Sequence, residues 1–173
     1  LLFQIELIIS KIFLPRFGGS YLVWGACLVF FQCALLAGYW YSHVATRKVG
    51  MPHYRYFHLA LILVPLLVFP GRSLPNIYVN ENTPLVIGVF TQLLLCIGLV
   101  FFVLSTISII SQVWLVQSEL RERKNPFVLY AVSNLGSFLA LLTFPFIFEY
   151  YFDLNIQIGI WRLCYFLFLL FYV

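Results

Sequence analysis

Charged and amide side chains inside long apolar runs are the residues of this chain with the most chemical potential. Glu6 and Lys11 share the first run, Arg162 lies in the last, and Gln32, Gln92, Gln112 and Asn134 lie in three others. An ionised group near the centre of a bilayer costs ~2.5–3.5 kcal/mol or more, so such groups pair, line a path for a solute, or reach the interface. Lys11 is five residues from Glu6, about 140° around a helix. The two therefore face apart. Lys11 can snorkel from the end of its run. Glu6 is the best functional candidate among the charges; otherwise it is protonated or pairs with Arg162. Arg162 and Glu149 lie near span ends and are expected at the interface. For the four amides the expectation is hydrogen bonding between helices, at ~0.6–2 kcal/mol each, with a solute path as the alternative.

Catalytic patterns are missing around these groups. The chain has no GxGxxG and a single aspartate, Asp153. Cys27, Cys33, Cys96 and Cys164 form no CxxC pair and read as buried small hydrophobes. His43, His53 and His58 cluster about one loop and read as interfacial or solvated, not as metal ligands. No catalytic residue, metal or cofactor is expected.

Composition supplies the setting. Of 173 residues, 63% are hydrophobic and 9% charged, against roughly 25% charged in a soluble domain. Mean hydropathy is +0.99. Lipid must solvate most of the chain. The net charge of +4 reads as membrane topology control, not nucleic-acid binding.

A span needs about 20 apolar residues. Six stretches are candidates: 1–14, 21–44, 56–69, 84–116, 126–148 and 158–173. Pro15, Gly18 and Gly19 end the first, and Pro70 and Gly71 the third. Pro84 and Pro126 lead the fourth and fifth, as suits a first helical turn. The fourth would reach roughly 50 Å, so it must tilt, kink or protrude. In the second, Trp24 and the Tyr39, Trp40, Tyr41 run are spaced like two interfacial belts about 25 Å apart. The chain starts at Leu1 without methionine and stops within an apolar run at Val173, which predicts a piece of a longer chain. Glu6 interrupts any signal-peptide core.

Because backbone groups in lipid must pair internally and the runs do not alternate, the expected fold is all-α, a single bundle of about six transmembrane helices. Arg47, Lys48 and Arg55 in one loop and Arg121, Arg123 and Lys124 in another face only Arg16 and Arg72 across the membrane. The cationic side is cytoplasmic, and the N-terminus lies there too. Ala34 and Gly38, and Ser133 and Ser137 beside Gly136, are small residues at spacings that admit close helix approach. The second and fifth spans are therefore expected inside the bundle.

Two blocks carry a family likeness. The first is Leu14-Pro15-Arg16-Phe17-Gly18-Gly19-Ser20, then Val23-Trp24, Cys27, Phe30-Phe31-Gln32, Leu35-Leu36-Ala37-Gly38-Tyr39, Tyr41 and His43. The second is Phe101-Phe102-Val103-Leu104-Ser105, Gln112, Trp114, Leu129-Tyr130-Ala131, Ser133-Asn134-Leu135-Gly136-Ser137, Leu139-Ala140-Leu141-Leu142, Pro145 and Glu149. In order and spacing the chain resembles the membrane domain of the bacterial fused major-facilitator-like/spermidine synthase-like family. The resemblance implies a six-helix unit similar to half of a major-facilitator transporter, in the bacterial inner membrane, often followed by a cytosolic aminopropyltransferase-like domain. Val100 and Ile109 stand where the family often has proline, and Asn125 where it has aspartate. Without those prolines the fourth span is expected to be a regular helix, which favours a scaffold over a transporter. The leading expectation is a non-catalytic membrane scaffold or accessory subunit, in contact with lipid and with other subunits or copies of itself. The alternatives are a transporter-like half unit for a small polar or cationic solute, and the membrane module of a spermidine synthase-like enzyme.

Overall fold

The computed structural model describes residues 1–48, 51–68, 83–118, 125 and 127–172. Among them the chain is all-helical, in six rods. These are α1 (Leu2–Phe17), α2 (Tyr21–Lys48), α3 (Met51–Val68), α4 (Leu85–Gln117), α5 (Phe127–Tyr151) and α6 (Leu154–Tyr172). Four segments are long and apolar enough to cross a membrane: Tyr21–Arg47, Leu85–Gln117, Phe127–Tyr151 and Leu154–Tyr172. At 16 and 18 residues, α1 and α3 reach about 24 and 27 Å, just under a ~30 Å hydrocarbon core. Arg72, Arg121, Arg123, Lys124, Pro70, Gly71 and Pro126 lie outside the described residues, as do the side chains of Lys48, His53 and Arg55.

Local chemistry sets the helix ends. α1 runs through Pro15 and stops at Gly18, whose φ of 81° only glycine adopts without strain. Pro84 caps α4, where a missing N–H leaves no bond unmade. Asp153 accepts a hydrogen bond from the Ile156 N–H at 2.9 Å and so starts α6 four residues before the expected position 158.

Two wide π turns interrupt the long helices. α4 contains one at Leu94–Gly98, so it is not the regular helix expected from its missing prolines. The cause is burial. Val89, Leu93, Ile97 and Phe101 are all fully buried, and a four-residue spacing drifts around an ordinary helix; a wider turn holds the face in place. In α5 the π turn spans Phe144–Phe148 and contains Pro145, whose ring needs room near the preceding turn.

The core centres on the shortest rod. Ile5, Ile8, Ile9, Ile12, Phe13 and Phe17 of α1 are buried at helical three- and four-residue spacing, and α1 packs on α2, α4, α5 and α6. α4 supplies the other half of the core, and α2 runs along it. Phe31 meets Phe101 at 4.8 Å between ring centres, and Phe30 meets Phe90 edge-on at 5.8 Å. α6 is tied to two neighbours: Trp161 Nε1 donates to Leu1 O at 2.9 Å and Tyr165 Oη to Ile62 O at 2.6 Å.

The expectation that the fifth span lies inside is overturned. Between Phe127 and Thr143, α5 has no buried residue. It packs along one side of α1 and α4 and turns its apolar residues outward. Small residues permit close packing but do not require it, and lipid-facing and core-facing surfaces are equally apolar.

In α2, Gly38 lies against α4 so closely that an added Cβ would overlap the Ser105 side chain. Gly38→Val should therefore lower the thermal unfolding midpoint in detergent, at a cost of about 1–3 kcal/mol from overpacking. Ser105→Gly should recover part of the loss. Gly25→Ala, where an added methyl meets open space, should leave the midpoint unchanged. Equal midpoints for Gly38→Val and the parent protein would contradict this packing.

Candidate functional site

A cavity of about 390 Å³ lies where α2 and α5 flank α1 and α4. α2 contributes Leu35 and Tyr39, α4 contributes Ser105 and Ser108, and α5 contributes Tyr130, Ser133, Asn134, Gly136, Ser137 and Ala140. The first turn of α1, Leu1 to Phe3, and Phe168 of α6 complete it. Among the described residues no Asp, Glu, Lys, Arg or His side chain lines it. Its chemistry is that of neutral hydrogen bonding.

Two of the hydroxyls have already used their protons. Ser105 Oγ donates to Phe102 O at 2.7 Å and Ser137 Oγ donates to Ser133 O at 2.9 Å. Such back-bonding satisfies a hydroxyl in lipid and leaves its oxygen as an acceptor. Asn134 brings both an acceptor and a donor to the same wall. A second groove, of about 660 Å³, lies between α2 and α4 and is lined by Phe30, Cys33, Ala34, Phe90, Leu94 and Phe102 among others. It is almost wholly apolar and carries no comparable chemistry.

The structure disperses most of the residues picked out from the sequence. Asn134 alone of the polar set reaches the cavity. Glu6 is half-buried on α1 and does not line the cavity. Gln92 and Gln112 are half-buried at different levels of α4, and Arg162 is half-buried on α6. Gln32 is exposed on α2, one helical turn from Leu35 and on the side of the helix that carries Leu35 and Tyr39. A solute path through Glu6, Gln32, Gln112 and Asn134 is therefore not assembled. Among the small residues, Ser133, Gly136 and Ser137 line the cavity, Ala34 the apolar groove, and Gly38 the α2–α4 contact. Gly18 and Gly19 form the α1–α2 turn with open space around them.

Three further readings change. Lys11 and Glu149, expected at the interface singly, form an ion pair at 2.6 Å that ties α1 to the end of α5. His58 is not solvated but fully buried, edge-on to Trp114 at 5.8 Å between ring centres. Of the cysteines only Cys27 is buried; Cys33 and Cys164 are exposed on the outside of the bundle.

Some functional groups were passed over in the sequence. Ser105 and Ser108 recur at three-residue spacing in an apolar run, which was a usable signal. Gln157 gave none. It is fully buried, and its Nε2 donates to Phe148 O at 3.0 Å and Phe152 O at 2.8 Å. It thereby gives Phe152 O a donor where α5 ends, and gives Phe148 O a second one beside the Phe152 N–H.

No family model, no curated protein and no solved structure matches the chain.

Amides in different surroundings should respond differently to loss. Gln157→Leu removes the amide donor from Phe152 O and leaves Phe148 O only the Phe152 N–H, at 3.2 Å, and should destabilise the protein by about 1–3 kcal/mol. Gln32→Leu removes an exposed amide and should leave the unfolding midpoint of the isolated chain unchanged. Thermal unfolding of both variants in detergent tests the pair, and a loss at Gln32 equal to that at Gln157 would contradict the assignment.

Proposed function

We propose that this chain is a non-catalytic integral membrane subunit that braces a larger membrane assembly through the outer faces of α2 and α5. One observation carries the reading. Gln32 and Asn134, amides well inside apolar spans, are exposed on the outside of the bundle. Lipid tails offer no hydrogen bond, and an unsatisfied polar group in hydrocarbon costs several kcal/mol. A protein surface with complementary groups removes that cost. The nearly unburied α5 points the same way, since its apolar length remains available to a neighbour.

The same reading takes all six rods as spans, with both termini and the cationic loops on the cytoplasmic side of a bacterial inner membrane. The two shorter rods fit a bilayer that thins or tilts them locally. A transporter-like half unit is the second reading. The cavity favours it, but Asn134 is the only member of the expected path that reaches it.

Purification from native membranes in mild detergent, followed by mass spectrometry of the intact complex, tests the proposal. The expected result is an assembly with other subunits at fixed stoichiometry. The double variant Gln32→Leu/Asn134→Leu should release the chain folded but alone. A parent protein that emerges as a lone monomer or homodimer would overturn the subunit reading and promote the transporter.

A further inference from the structure

α5 is held to the bundle at one end only. We propose that its longer, N-terminal part, Phe127–Thr143, is a hinged flap that swings about Pro145 at the start of the π turn and opens the cavity beside α1 to the acyl-chain region of the bilayer. This goes beyond the subunit reading and does not depend on it.

From the π turn onward α5 is anchored. Phe144 is buried in the core and Phe148 packs against it. Glu149 pairs with Lys11 of α1. Gln157 of α6 donates to Phe148 O at 3.0 Å and to Phe152 O at 2.8 Å, and the Phe148 and Phe152 rings meet at 5.9 Å. Ahead of the turn none of these restraints recurs. No residue of Phe127–Thr143 is buried, and none belongs to the core or packs against it. Among the described residues, none of them makes a hydrogen bond, ion pair or ring contact with another rod; Ser137 and Thr143 donate to Ser133 O and Leu139 O of their own helix.

The inner face of the flap explains why little holds it. It carries Ser133, Gly136, Ser137 and Ala140, and the cavity of about 390 Å³ lies under it. Helices in lipid cohere through side-chain packing and hydrogen bonds, since acyl chains solvate apolar surface as well as another helix does. Small side chains over a cavity supply little of either. Lifting Phe127–Thr143 from α1 and α4 therefore costs little, whereas moving residues 144–152 would break the ion pair and both Gln157 bonds.

Pro145 supplies the joint. It has no N–H for the carbonyl one turn back, and its ring excludes the regular helical path. Proline and π turns are where helices bend sharply. Thr143 Oγ1, bonded to Leu139 O at 2.7 Å, adds just ahead of it a back-bond of the kind that bends helices. The arm is long. From Pro145 to Val132 is about 20 Å along the helix, so a change of about 20° displaces Val132 by roughly 7 Å.

Double electron–electron resonance on the full chain in lipid nanodiscs tests this. The nitroxides are carried on p-acetylphenylalanine, so the native cysteines stay in place. One pair, replacing the exposed Leu36 of α2 and Val132 of α5, reports across the flap; a second, replacing the exposed Trp24 and Tyr150, reports on the anchored end. The first pair should give two distances roughly 7 Å apart, and the second pair one. Pro145→Leu, which restores the N–H at an exposed position, should merge the first pair's two distances and leave the second pair's unchanged. A single distance at the first pair in the parent protein, as sharp as that at the second, would overturn the proposal. Two distances at both pairs would mean that α5 moves as a whole, and two distances that survive Pro145→Leu would put the joint elsewhere; either result overturns the hinge.

Discussion

Backbone amides and carbonyls in hydrocarbon have no water to bond, and this constraint shapes the molecule more than any side chain does. It makes every described element a helix. It also governs the hydroxyls. Ser42, Thr91, Thr106 and Thr143 join Ser105 and Ser137 in donating to carbonyls three or four residues back in their own helices. These groups are satisfied where they stand, so they contribute little to holding one helix against another. Cohesion falls to shape, to a few long side chains that cross between helices, and to the Lys11–Glu149 pair.

Shape explains the unequal roles of the helices. α1 is short enough to be surrounded, and its isoleucine and phenylalanine face fills the centre. α2 approaches α4 closely because Gly38 offers no side chain to Ser105. The π turn of α4 then holds Val89, Leu93, Ile97 and Phe101 on one face, which an uninterrupted α-helix of that length would have rotated away. A helix distortion without proline is thus a packing device here. The distortion in α5 has a different origin, in Pro145, and Gln157 donates to carbonyls where that helix ends.

The helices themselves were legible in the sequence, because unbroken apolar runs bounded by proline and glycine leave few alternatives. Their places in the bundle were not. In a soluble protein an apolar stripe points inward, but here lipid and core have the same polarity, so hydropathy carries no direction. α1 gave no sign in the sequence of being central, and it is; α5 read as interior and is peripheral. The amides looked alike in the sequence for the same reason. Gln157 escaped notice because it lies at a helix start, yet it is fully buried and donates to two backbone carbonyls. His58 was read from its neighbours in a polar loop, whereas its burial depends on Trp114 and Tyr172, contributed by helices distant in sequence.

When hydropathy cannot tell inside from outside, polar groups become the more informative markers. A buried amide with two carbonyl partners, such as Gln157, is explained by the chain's own structure. An exposed hydroxyl bonded back into its helix, such as Ser137, is explained by its backbone. Gln32 and Asn134 fit neither case: both stand on the outside of spans, and a fold that needed only lipid would be served as well by leucine at either position. Their presence is understandable if hydrocarbon is not what meets them in the membrane.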